Sequence, residues 1–167
     1  MSWSRRAFLL ALAATPLAGC GFHPLYGGET AGEYNPLLAA IKVAPIPDRD
    51  GQLLELALRE RLNPRGVALS QHYRLGVTLT LTRADLGIQR NATSTRAEIL
   101  ADANYTLNGQ GLRVTGRSHT VSAFNLQNDA WAATVAENDA RERAIDQLAD
   151  AIVMQLTLWV RRQEAVR

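Results

Sequence analysis

Hydrophobic and polar residues alternate strictly in the middle of the chain, a pattern typical of β-strands with one buried face. From Tyr73 to Leu81 every odd position is apolar, and the even positions carry arginine, glycine or threonine. Beyond Arg83 the apolar residues move to even positions, and this change of phase predicts a β-bulge near Arg83. The next strand is predicted to bury one alternating set: Ala97, Ile99, Ala101, Ala103, Tyr105 and Leu107.

Turn residues separate these strands and complete a three-stranded antiparallel meander. The polar stretch 90–96 predicts a loop between the first two strands. Asn-Gly-Gln-Gly at 108–111 predicts a tight hairpin. The third strand then runs from Leu112 to Ala123, with Val114 on one face and Arg113, Arg117 and His119 on the other.

The segments on either side of the meander have different patterns. Residues 37–43 predict a short edge strand that ends before Pro45, because proline cannot donate a hydrogen bond to a neighbouring strand. Leu54, Leu58 and Leu62 then recur at helical spacing up to Pro64. This predicts an amphipathic helix whose outward side chains include Glu55, Arg59 and Glu60.

A long amphipathic helix is predicted at the end of the chain, from near Ala132 to about Arg162. Its polar side carries Asp139, Arg143 and Asp146. The opposite stripe is apolar and is expected to cover the sheet: Ile145, Leu148, Ala149, Ile152, Leu156, Trp159 and Val160.

Together these elements predict one α+β domain over residues 37–167. The order is β-α-β-β-β-α, and the expected architecture is a two-layer sandwich, with two helices packed on one face of a mostly antiparallel four-stranded sheet.

The first twenty residues have the features of an export signal rather than of a folded element. Arg5 and Arg6 precede an apolar run that is too short to span a bilayer. The run ends in Leu17-Ala18-Gly19-Cys20, which resembles the lipobox of bacterial lipoproteins. That resemblance implies a signal peptide over residues 1–19, recognised by signal peptidase at Leu17, Ala18 and Gly19. It also implies a diacylglycerol and an N-acyl chain (palmitate) on Cys20, with no other cofactor. The paired arginines leave both Sec and twin-arginine export open.

The charge balance of the mature chain argues against a nucleic-acid partner. The full sequence has 18 basic and 16 acidic side chains, and Arg5 and Arg6 belong to the predicted signal peptide, which contains no acid. The mature chain is therefore neutral, and the basic patch that nucleic-acid binding requires has no electrostatic basis.

Residues 20–36 contain prolines and glycines without any period, and they predict a tether between the acylated cysteine and the domain. The sequence Cys-Gly-Phe-His-Pro-Leu-Tyr-Gly at 20–27 resembles the start of the mature lipopolysaccharide-assembly lipoproteins of the LptE family, in their alphaproteobacterial form. Residues 136–141 and 147–150 resemble the family's C-terminal helix. The resemblance implies an outer-membrane lipoprotein that sits as a plug inside the LptD β-barrel and supports delivery of lipopolysaccharide to the outer leaflet.

No residue pattern predicts catalysis or a metal site. The three histidines, His23, His72 and His119, have no second ligand at metal-site spacing, and no nucleophile motif is present. The outward strand positions and loops instead carry arginines, Arg83 among them, that could contact the phosphates of lipopolysaccharide. The interpretation as an ordinary solvated surface balanced by acids stays open. The candidate contacts are Arg74, Arg90, Arg96, Arg113 and Arg117.

Two other functions remain compatible with the sequence. The first is a lipoprotein adaptor of another outer-membrane assembly complex, which would share the anchor and the fold. The second is a lipid-tethered periplasmic hydrolase, which would need a cleft containing a nucleophile and a base.

Overall fold

The computed structural model describes residues 36–66, 70–88, 94–126 and 129–165. It has the predicted α+β fold, with one additional short helix before the first strand. The elements in chain order are α1 (Pro36–Ala39), β1 (Ile41–Val43), α2 (Arg49–Leu62), β2 (Tyr73–Ile88), β3 (Ser94–Gly109), β4 (Leu112–Asn125) and α3 (Ala130–Ala165).

The four strands form one sheet in the order β1-β2-β3-β4. β1 pairs parallel to β2, whereas β2, β3 and β4 form an antiparallel meander. The predicted hairpin is confirmed, because Gln110 and Gly111 both have positive φ between β3 and β4, as a type I′ turn requires. The predicted loop over 90–96 extends too far toward the C-terminus, because β3 already begins at Ser94.

The predicted β-bulge near Arg83 is wrong. β2 and β3 pair in an unbroken register through this position, from Tyr73 opposite Gly109 to Ile88 opposite Ser94. The apolar phase changes for another reason: Arg83 occupies a position on the helix-covered face and forms a salt bridge of 2.8 Å with Glu137 of α3. β2 therefore continues without a bulge, and at Arg83 an ion pair takes the place of an apolar contact with α3.

Both long helices pack on the face of the sheet that carries the predicted alternating set of β3. Thr120 of β4 donates a hydrogen bond of 3.0 Å to the main-chain oxygen of Ala144 in α3, which fixes the helix to the sheet. The residues at this contact are small, so the helix backbone can approach the strands closely. Alanines with no exposed surface at this contact are Ala97, Ala101, Ala103, Ala140, Ala144 and Ala149.

The predicted apolar stripe of α3 forms the centre of the core, with Leu148 and Ile152 fully buried. Trp159 is only partly buried, and its ring meets Tyr73 edge-on at 6.4 Å between centroids. The helix begins at Ala130, two residues before the predicted start, because the Asp129 carboxylate accepts a hydrogen bond of 2.8 Å from the main-chain N–H of Ala132.

Two predictions about the first part of the domain need correction. Residues 37–39 belong to helix α1, so the strand begins only at Ile41. Glu55 of α2 does not point outward: its side chain is 14% exposed and accepts a hydrogen bond of 3.3 Å from the main-chain N–H of Ile46. This carboxylate holds the loop between β1 and α2 against the helix.

Arginines join α2 to α3 along their length. Arg61 contacts Asp150 at 2.6 Å and Asp146 at 3.3 Å, and the hydrogen bond to Asp150 raises the pKa of the guanidinium. Arg141 contacts Glu137 at 2.6 Å and Asp50 at 3.5 Å. The contacts of Arg61 with Asp146 and Asp150, and of Arg141 with Asp50, link the two helices side by side, whereas Glu137 belongs to the same helix as Arg141.

Candidate functional site

The face of the sheet opposite the two helices lies open within the described chain, and we call it the open sheet face. Cross-strand register assigns to it Lys42 of β1, the even positions of β2 and β3, and the odd positions of β4. Its middle is rich in uncharged hydroxyl and amide side chains. These are Thr78, Thr80, Thr82, Asn104, Thr106 and Thr115.

One end of the open sheet face carries three positive charges in a single row across all four strands. Lys42 pairs with Arg74, Arg74 with Asn108, and Asn108 with Arg113. All four side chains are exposed. We call these four residues the cation row.

The next charges on this face neutralise one another. Arg117 of β4 forms a salt bridge of 3.1 Å with Asp102 of β3, and His119 Nδ1 lies 3.2 Å from the same carboxylate. The hydrogen bond from Arg117 is the main cause that lowers the pKa of Asp102 below its ordinary value, with a smaller contribution from His119. Arg117 therefore already has a carboxylate partner within the sheet.

The far end of the open sheet face is more apolar. Leu100 of β3 lies opposite Thr82 and Val121, and the side chain of Val121 is 43% exposed. Leu86, two rows further along, is 38% exposed. The face thus changes along the strands from cationic, through hydroxyl-rich, to partly apolar.

A second exposed apolar feature lies at the start of α3. Trp131 is 77% exposed and Val135, one helical turn later, is 49% exposed. Side chains four residues apart lie on the same side of a helix, so the two form one apolar surface.

The structure separates the predicted arginine contacts into different groups. Arg74 and Arg113 occupy outward strand positions, as the sequence predicts, and the strand register brings them together in the cation row. Arg117 shares their face but is paired with Asp102. Arg96 lies in β3 opposite Leu86 and Asn125, at the other end of the sheet.

Other predicted site residues fall elsewhere. Arg83 lies on the helix-covered face, where its guanidinium sits 5.8 Å from the centre of the Phe124 ring, so its prediction as an outward contact is wrong. Arg90, Cys20 and the signal-peptidase residues Leu17, Ala18 and Gly19 lie outside the described residues.

Sequence reasoning missed Lys42 and Asn108 as members of the charged end. The local sequence at Asn108 indicates only a turn, whereas β3 extends one residue beyond it. Lys42 joins the row because β1 pairs parallel to β2 with Lys42 opposite Arg74, and nothing in the local pattern of three residues specifies that register.

An open cleft of about 550 Å³ lies beside β1, which has a neighbouring strand on one side only. Its lining includes Ile41 and Val43 of β1, Arg59 and Glu60 of α2, and Gln71. Elsewhere, the part of the chain that the structure describes holds no cluster of three or more side chains able to bind a metal ion. None of the helices in that same part is both long and apolar enough to cross a membrane.

Comparison with known proteins identifies the family. The model of the LptE family, described as lipopolysaccharide-assembly, matches residues 38–156, which is more than half of the chain. The chain belongs to the LptE family. No curated protein matches the sequence.

Solved structures with the LptE-like fold are lipoproteins by their descriptions. A protein described as a lipoprotein from Caulobacter crescentus CB15 is 23% identical, with a TM-score of 0.60; the match covers 77% of this chain and 96% of that one. Rare lipoprotein B from Shewanella oneidensis is 16% identical with a TM-score of 0.58, covering 74% and 96%. A minor lipoprotein from Acinetobacter baumannii is 21% identical with a TM-score of 0.54, covering 71% and 91%. At these identities the likeness shows a shared fold.

Proposed function

We propose that this LptE-family protein is an outer-membrane lipoprotein that forms a complex with the LptD β-barrel and supports transport of lipopolysaccharide to the outer leaflet. The observation that carries the proposal is the family match over residues 38–156, which spans most of the folded domain. The role is binding and assembly, without turnover of a substrate.

The proposal divides the chain into three parts. Residues 1–19 are a signal peptide that is cleaved before Cys20. Residues 20–36 are the acylated N-terminus and tether, and residues 37–167 form the LptE-like domain. Two or three acyl chains on one cysteine make attachment to the membrane nearly permanent, because each buried CH₂ contributes roughly 0.8 kcal/mol.

The open sheet face supports a partner with a hydrated surface. Its central threonines and Asn104 offer hydrogen-bond donors and acceptors without net charge. The lumen of a large β-barrel is polar, so such a face suits contact with it from inside. The covered face, in contrast, is fully used by α2 and α3 for the domain's own core.

Depletion of the protein from its own cell tests the proposed function. We expect lipopolysaccharide to decrease at the cell surface and to accumulate inside the envelope, and the level of folded LptD to fall. Re-expression of the wild-type chain should restore both. Normal surface lipopolysaccharide during depletion would contradict the proposal, and a defect in another assembly process would favour the adaptor function.

Direct contact with lipopolysaccharide is a separate part of the proposal. We expect the double substitution Arg90→Gln and Arg96→Gln to weaken lipopolysaccharide binding by the purified protein, since both cations belong to the polar stretch 90–96 of the sequence. The matched control, Arg59→Gln with Arg161→Gln, removes two positive charges from exposed helix positions. Equal affinity of the two double variants for lipopolysaccharide would show that Arg90 and Arg96 are not specific contacts.

A further inference from the structure

The cation row is a compact charged feature at one end of the open sheet face, beyond the hydroxyl-rich middle that supports contact with a barrel lumen. Adjacent strands lie about 4.8 Å apart, so Lys42, Arg74, Asn108 and Arg113 span roughly 14 Å across the sheet. The asparagine between the two arginines adds a neutral hydrogen-bond donor. The row therefore presents two planar guanidinium groups, an ammonium and an amide along one line.

The charge of this row is not balanced on its own face. Within the described chain, Lys42, Arg74 and Arg113 form no ion pair, and the carboxylates of the open sheet face are those of Asp102 and Glu98. Asp102 lies six residues from Asn108 along β3, roughly 20 Å at 3.3 Å per residue. That separation exceeds the Debye length of about 8 Å at physiological ionic strength, so Asp102 hardly screens the row.

One acidic side chain approaches from the covered side. Glu60 of α2 lines the cleft beside β1 together with Lys42, but the two do not form an ion pair. Glu60 belongs to α2, which packs on the opposite face of the sheet, and among the described residues it forms no salt bridge with Arg74 or Arg113. The row keeps a net positive charge.

The position of the row in the chain indicates what it meets. α1 leads directly into β1, and the main-chain oxygen of Ala40 accepts a hydrogen bond of 3.2 Å from the N–H of His72. The polypeptide chain therefore enters the sheet at the end that carries the cation row. Fifteen residues lie between Cys20 and Pro36, so an acylated Cys20 would keep this end within about 55 Å of a bilayer, at ~3.5 Å for each of the sixteen Cα–Cα steps.

We propose that the cation row docks on the phosphates of anionic phospholipid headgroups in the leaflet that holds the lipid anchor. Guanidinium groups bind phosphate oxygens with two parallel hydrogen bonds, and tethering raises the effective concentration of headgroups at the row. The contact orients the domain with its cation row on the headgroups and the row of Leu86, Arg96 and Asn125 directed away from them. The inference rests on the lipid anchor of the proposed function.

Site-specific fluorescence on the acylated, full-length lipoprotein in vesicles tests this orientation. With its one native cysteine acylated, a new thiol can be labelled selectively at Thr115→Cys, one row of exposed side chains from Arg113. The matched control is Asn125→Cys, which lies on the same strand and the same face but at the opposite end. The quencher is a phospholipid with a spin label on its headgroup.

In phosphatidylethanolamine vesicles that contain phosphatidylglycerol, we expect strong quenching at position 115 and little at position 125. Replacing Lys42, Arg74 and Arg113 by glutamine should remove the difference, as should omission of phosphatidylglycerol or addition of high salt. Arg117→Gln should preserve it, because that arginine is already paired with Asp102. Circular dichroism of each variant checks that the fold is intact.

The alternatives give distinct results. Equal quenching at both positions, or a difference that survives the triple substitution, would overturn the proposal. Quenching that requires lipopolysaccharide rather than phosphatidylglycerol would assign the row to lipopolysaccharide and overturn it as well. Protein that fails to float with the vesicles would refute the lipid anchor itself, whereas floating protein without quenching at position 115 refutes only the docking.

Discussion

At Gly116 the backbone of β4 passes directly beneath the ring of Tyr105 in β3. A Cβ atom built at Gly116 would lie 2.2 Å from Tyr105 Cζ, closer than real Cβ contacts allow. The Tyr105 hydroxyl meanwhile contacts Gln155 of α3 at 2.6 Å, so the ring cannot move away without losing that hydrogen bond. A side chain at 116 would disturb both the sheet and its contact with the helix.

We therefore predict that Gly116→Ala lowers the free energy of unfolding by about 1–3 kcal/mol, the usual cost of overpacking. Gly76→Ala in β2 is the matched control, because a Cβ there would meet only Thr106 O at 3.9 Å. Denaturant unfolding followed by circular dichroism measures both. Equal effects of the two substitutions would show that the ring over Gly116 adapts freely.

The pKa of Asp102 provides a second test at the residue scale. Because Arg117 holds this pKa below its ordinary value, the group stabilises the fold above its unfolded pKa and loses that contribution as the pH falls through the folded pKa. We predict that Arg117→Gln raises the pKa of Asp102 in a carbon-detected NMR titration. His119→Asn should raise it less. An unchanged titration in Arg117→Gln would mean that the ion pair does not form in solution.

At the scale of elements, α3 depends on small residues for its close approach to the sheet. Ala144 has no exposed surface, and its main-chain oxygen accepts the hydrogen bond from Thr120. We predict that Ala144→Leu destabilises the domain by about 1–3 kcal/mol, because no space exists for the larger side chain. Gln147→Leu, at an exposed position one turn later, should change the thermal midpoint little. Similar losses in both variants would indicate a helix-wide effect instead of a local one.

Much of the fold was predictable because its strongest signals are periodic and local. The alternating face of β3 and the apolar stripe of α3 led directly to the two-layer architecture. The bulge prediction is wrong because Arg83 forms an ion pair with Glu137, which is fifty-four residues away in the chain. A charged residue at a helix-covered position gives the same sequence pattern as a strand whose buried face has changed. The helical start at Pro36–Ala39 was missed because a single turn carries no usable period.

The candidate site was less predictable than the fold. The sequence places Arg74 and Arg113 on outward positions, but their shared row depends on the register of three strand pairs. The pairing of Arg117 with Asp102 likewise needs two strands to be aligned. Register follows from tertiary pairing, so local alternation alone could not separate a paired arginine from unpaired ones.

In the whole molecule as proposed, a lipid anchor and a tether precede a domain with a charged end. We predict that the wild-type protein incorporates radiolabelled palmitate and that Cys20→Ala abolishes the label, because Cys20 is the single cysteine of the chain. Gly21→Ala should retain the label. Palmitate incorporation that persists in Cys20→Ala would contradict acylation at this residue.

Affinity purification of the tagged, full-length protein from its own outer membrane in mild detergent, followed by mass spectrometry, tests the proposed complex with LptD. We expect LptD to be recovered in a stoichiometric amount together with the chain. Recovery of a different assembly complex, or of no β-barrel protein, would contradict the proposed function and favour a lipoprotein adaptor that shares the LptE fold.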